Sequence, residues 1–204
     1  QRDAFRMTTR SPLFKTIEAL NGLKNQKRRG WVIRGVKNPE SVAEHSWRSA
    51  AIALAIAPKG YNKEKLSKLA LLHDISEIFG KDYTPVDGIT KEQKEKLELK
   101  SLHKFVRLLP KEISKDWENA WMEMESQSSK EAKLVKDAEI LDMLFQALEY
   151  QKRGNYKKDL TEFHMRDIKR LKTKPGKKLG REIKAAWPKS AIKKFDAKKY
   201  KYHY

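Results

Sequence analysis

Apolar residues recur along this chain at intervals of three and four, the spacing that places them on one face of a helix. Phe14, Ile17 and Leu20 form such a stripe in "SPLFKTIEALNGLK", where Ser11 is an N-cap candidate and Pro12 takes the first helical position. The basic stretch "KNQKRRGWVIRGVKNPE", broken by Gly30, Gly35 and Pro39, is predicted as an extended loop. Helices are expected from Asn38 or Ser41 to Pro58, over "NKEKLSKLALLHDISEIF" up to Gly80, and over "KEQKEKLELKSLHKFVRLL" up to Pro110. They continue through "KEISKDWENAWMEMES" and the longest, "SKEAKLVKDAEILDMLFQALEYQKRG", with Gly154 as its stop. "KDLTEFHMRDIKRL" reads as one more, and "KTKPGKKLG" as a break before a short last helix around "REIKAAW". No segment alternates apolar and polar residues as a half-buried strand does. The expected fold is all-α and compact, with six to eight helices.

Composition narrows this. The 204 residues suit one domain with an appendage: a core over residues 1–171 and a basic, peripheral C-terminal extension over residues 172–204. There is no cysteine, so disulfides and thiolate metal sites are excluded. No apolar run approaches a membrane span, and a soluble cytoplasmic protein is expected. The net charge is +19, and residues 151–204 hold 19 Lys and Arg against 5 Asp and Glu. Such a tail aids solubility, attracts anionic substrates or binds nucleic acid weakly.

Charged groups inside apolar patterns are the candidate chemistry, because burying them unpaired is expensive. In "ALLHDISEIFGKDYTP", His73 continues the face of Leu66, Leu69 and Ala70, Asp74 lies about 100° round, and Glu77 follows one turn later. His45 shares a face with Ser49, Ile52 and Ile56 in the preceding helix. Two inward histidines and a carboxylate from consecutive helices suit a divalent ion such as Mn, Co, Fe, Zn or Mg. His103, His164 and His203 lack comparable company and read as solvated or structural.

"NPESVAEHSWRSA", "ALLHDISEIFGKDYTPV" and "LVKDAEILDMLFQALEY", in this order, resemble the HD-domain phosphohydrolases, and within them the 5′-deoxynucleotidase (YfbR-like) branch. The resemblance spans about residues 11–155. It implies an all-helical HD fold, a homodimer, one divalent metal ion and hydrolysis of (deoxy)nucleoside 5′-monophosphates. His45, His73 and Asp74 match metal ligands. Glu77 matches the acid that assists the water or the leaving group, and Asp82 a carboxylate at the sugar side. Trp31 matches the aromatic beside the nucleoside. The Arg that often precedes this Trp is replaced by Gly30, so Arg29 is expected to serve the phosphate, with Arg34 as a second candidate. The family's fourth ligand follows the pattern "VKxADxLDM", and this chain has "VKDAEILDM". Register, anchored by Leu141–Met143, assigns that role to Glu139; the apolar periodicity of Leu134, Leu141, Leu144 and Leu148 favours Asp137. Two other readings stand beside the nucleotidase. One is an HD phosphohydrolase acting on nucleoside triphosphates, cyclic nucleotides or alarmones, and the other is a basic nucleic-acid-binding protein on an HD scaffold.

Overall fold

One helix, α7 (Lys130–Arg153), organises the molecule in the computed structural model, which describes residues 10–194. Of its 24 residues 15 are buried, so it is surrounded rather than laid on a surface. The helices before it are α1 (Pro12–Asn25), α2 (Arg29–Ile33), α3 (Val42–Ile56), α4 (Lys63–Leu72), α5 (Lys91–Val106) and α6 (Lys111–Ser126). After it come α8 (Thr161–Asp167), α9 (Lys174–Ala186) and α10 (Lys189–Lys194). Short 3₁₀ turns lie at Ile75–Ile78, Pro85–Asp87 and Ile168–Arg170. Among the described residues there is no strand, only an isolated bridge between Lys27 and Ser41. No described helix is long and apolar enough to cross a membrane.

Helix starts follow local chemistry. The Ser11 side chain accepts from the Phe14 amide, with Pro12 in the first turn. Ser41 and Glu44 close a reciprocal capping box at α3, as Thr90 and Gln93 do at α5. Gly154 ends α7 in the left-handed region at φ 63°, where a side chain would be strained. Leu66, Leu69, Leu102, Phe105, Trp121 and Leu134 centre one part of the core. Trp31, Leu141, Leu144, Leu160, Ile183 and Trp187 centre the other, and α7 runs through both.

Three expectations need correction. Residues 29–33, within the expected loop, form the short helix α2. The helix carrying His73 stops at Leu72, and Glu77 sits in the 3₁₀ turn beyond it. "KTKPGKKLG" does not break the chain. Thr173 caps α9 by accepting from the Gly176 amide, and Pro175 lies in the first turn. Ile183 and Trp187 are 1% and 2% exposed, so one face of α9 packs into the core while its lysines remain in solvent. His164 is buried and stacks on Trp187 with ring centroids 4.8 Å apart. His103 is solvated and pairs with Glu118 at 3.2 Å. His203 and the remainder of the basic tail lie outside the described residues.

Candidate metal centre

His73 sits where α4 ends. Its Nδ1 donates to the Ala70 carbonyl at 2.6 Å, occupying one of the acceptors that a helix C-terminus leaves open. His45, on α3, turns its Nδ1 to Asp142 Oδ2 of α7 at 2.6 Å. A neutral imidazole that donates through Nδ1 carries its lone pair on Nε2. Both Nε2 atoms face Asp74, whose Oδ2 lies 3.1 Å from that of His73 and 3.9 Å from that of His45. The two rings meet edge-on, 5.3 Å between centroids. One ligand atom from each of His45, His73 and Asp74 fits within 4.8 Å of the others. His73 Nε2 is buried and has no hydrogen bond of suitable direction.

The electrostatics call for a cation here. Burial opposes charge on His73, but Asp74 and Glu139 outweigh it and push its pKa up to about 9. Burial likewise opposes the Asp74 carboxylate, but His73 and Arg28 hold its pKa well below the usual range. An orphaned buried nitrogen with a convergent imidazole and carboxylate is a donor set that fits a divalent ion.

Glu77 lies beside this group and not within it. Its Oε2 accepts from Gln26 Nε2 at 3.1 Å, and Arg28 Nη1 is 3.9 Å from Oε1. Burial, then the neighbouring Asp74 and Asp82, raise its pKa well above the usual carboxylate range. Arg28 is the cation that reaches the centre, with Nη1 3.2 Å from Asp82 and 3.5 Å from Asp74. Burial works against its charge, but Asp82, Asp74 and Glu77 keep it firmly protonated.

Arg29, expected at the phosphate, is held at the rim by another carboxylate. The turn that opens α2 sends its guanidinium to Asp87, at 2.5 and 3.2 Å, while its backbone N donates to Asp82 at 2.9 Å. Arg34 is buried and paired with Glu162. It lines a cavity of about 150 Å³ together with Trp31, Met143 and Phe163. A larger cavity of about 600 Å³ holds His45, His73, Asp74, Glu77 and Glu139. Arg28, Asp82, Tyr83, Thr84, Met143 and Arg170 line both, so the two spaces adjoin.

The two fourth-ligand candidates separate cleanly. Glu139 lines the large cavity; its Oε2 accepts from Lys136 at 2.7 Å, and its Oε1 is buried without a partner. It stands outside the tight group of three. Asp137 is buried elsewhere, accepting from the Lys172 amide at 2.9 Å and from the Thr173 amide and hydroxyl at 2.7 and 2.6 Å. A Cβ at Gly176 would collide with that carboxylate, so Asp137 and Gly176 together seat the start of α9. Arg28, Glu40, Arg48, Lys136 and Asp142 are site residues that sequence reasoning missed. Glu40, Arg48 and Asp142 lie inside the motifs "PESVAEHSWR" and "LDM", and that was their only signal.

A profile described as the HD domain matches residues 20–186. The 5′-deoxynucleotidase HDDC2 of Mus musculus is 37% identical over 152 residues, covering 74% of this chain and 76% of the mouse protein. The 5′-deoxynucleotidase YGK1 of Saccharomyces cerevisiae is 34% identical, over 69% of this chain and 67% of the yeast protein. A protein of solved structure from Pyrococcus horikoshii OT3 superposes with a TM-score of 0.69 at 31% identity, covering 84% of this chain and 98% of its own.

Proposed function

The chain belongs to the HD domain family, and on that premise we propose that it is a divalent-metal-dependent phosphomonoesterase acting on deoxynucleoside 5′-monophosphates. The observation that carries the reading is the convergence of His45 Nε2, His73 Nε2 and Asp74, with the Glu77 carboxyl buried beside them. His45, His73, Asp74 and Glu139 would hold the ion, whose identity we take from Mn, Co, Fe, Zn and Mg. Bound there, it supplies neutralisation of phosphate charge and acidification of water.

The chain's own residues do the rest. Arg28 presents a fixed guanidinium to phosphate oxygens. The phosphate lies in the large cavity and the nucleoside in the smaller one, where Trp31 and Phe163 offer aromatic surface. Asp82, at the junction, faces the sugar. Water adds its oxygen to phosphorus, the P–O5′ bond breaks, Glu77 delivers its proton to O5′, and a proton from the water restores Glu77 as nucleoside and phosphate leave. The surplus of Lys and Arg draws anionic nucleotides toward the molecule. The reading includes a cytoplasmic homodimer.

Phosphate release from a panel of deoxyribo- and ribonucleoside monophosphates, deoxynucleoside triphosphates and cyclic nucleotides tests this, with Mn or Co and with chelator. Deoxynucleoside monophosphates should be hydrolysed best, and only with metal. Preference for triphosphates or cyclic nucleotides would move the chain to a different HD phosphohydrolase activity.

A further inference from the structure

We propose that Glu40 and Arg48 are positioning residues that tie the wall of the nucleoside pocket to the metal ligand His45, an inference that rests on the functional reading above. Trp31 on α2 and His45 on α3 are joined by one polar chain. Trp31 Nε1 donates to Glu40 Oε1 at 2.8 Å, and Glu40 Oε2 lies 3.6 Å from Arg48 Nη2. Arg48 Nε donates to Asp142 Oδ1, and its Nη2 reaches the Asp142 carbonyl at 3.2 Å. Asp142 Oδ2 then holds His45 Nδ1. The chain is braced at Glu40 and at Arg48. Its backbone N donates to Tyr150 Oη at 2.9 Å, and Tyr150 packs edge-on against Trp31, 5.4 Å between centroids. Gln146 accepts from Arg48 Nη1 at 2.7 Å.

Stability alone does not account for this arrangement. Two largely buried carboxylates share one guanidinium, and apolar residues of similar volume would pack there at lower desolvation cost. What the network supplies is a fixed ring orientation. Asp142 keeps the proton on His45 Nδ1, which leaves Nε2 aimed at the metal, and the planar fork of Arg48 fixes Asp142. Glu40 extends the same constraint to Trp31. The wall that holds the nucleoside and the ligand that holds the ion are therefore set in one register.

The test is the Mn dissociation constant of nucleotide-free protein, by titration calorimetry, with melting curves to confirm folding. Glu40→Gln preserves an acceptor for Trp31 and breaks the link to Arg48. Arg48→Lys preserves charge and loses the fork. Each should weaken Mn binding about 10-fold, the effect typical of groups that orient metal ligands. The double variant should be no weaker than the worse single, because both cut one chain. Trp31→Phe removes only the indole donor from the far end, and it should move Mn affinity in the same direction. Wild-type Mn affinity in folded Glu40→Gln or Trp31→Phe, or effects that multiply in the double variant, would overturn the relay. Absence of Mn binding by the unaltered protein would instead fail the metal reading itself.

Discussion

Glu77→Gln is expected to leave metal content unchanged and to lower kcat for a deoxynucleoside monophosphate by about 10²–10⁴-fold. Glu77 is outside the convergent group of His45, His73 and Asp74, so the substitution removes no close member of that group. Gln is nearly isosteric and still offers an oxygen to Gln26. What disappears is the transferable proton. Burial and the neighbouring Asp74 and Asp82 push the Glu77 pKa well above the usual glutamate range, the direction that favours a general acid. Elemental analysis and turnover on one preparation separate the roles. Metal lost along with activity would make Glu77 a ligand or the support of one.

Glu139→Gln should abolish stoichiometric metal binding, while Asp137→Asn should keep the metal and cost stability. The two carboxylates are two residues apart on one helix, about 200° round, and they meet different surroundings. Glu139 faces the cavity with one oxygen free, and although burial opposes its charge, Lys136 and His73 keep it ionised. Asp137 holds the Lys172 and Thr173 amides at the base of α9. An amide there would turn a donor toward donors, a loss of about 2 kcal/mol, or roughly 4–8 °C in Tm. Metal analysis and melting curves of both variants decide the assignment. Metal retained in Glu139→Gln and lost in Asp137→Asn would reverse it.

Apolar spacing and caps made most helices legible, because Ser11 and Ser41 announce their own starts. His45 and His73 were legible because each follows the inward face of its helix, and Asp74 because it stands next to His73. Periodicity and register diverge at α7 for a physical reason. A helix buried on several sides has no single apolar face, so it located Asp137 inside correctly but against α9 instead of the metal centre. That Arg28 and not Arg29 reaches Asp74 depends on where the short α2 begins, which basic and glycine residues in a supposed loop do not reveal. In α9 four lysines are interleaved with the buried Gly176, Gly180 and Ile183, which hid the core role of those residues and of Trp187 just beyond. Asp142 and Arg48 act on His45 from 97 and 3 positions away, a partnership that only the packing of α3 on α7 creates.

The most direct test is an anomalous difference map from crystals grown with Mn and a non-hydrolysable deoxynucleoside monophosphate analogue. The account predicts one strong peak in contact with His45 Nε2, His73 Nε2 and Asp74, with Glu139 turned toward it and the analogue's phosphate alongside Arg28. A peak at the second possible group, Glu40, His45 and Asp142, or one without His73 and Asp74, would contradict it.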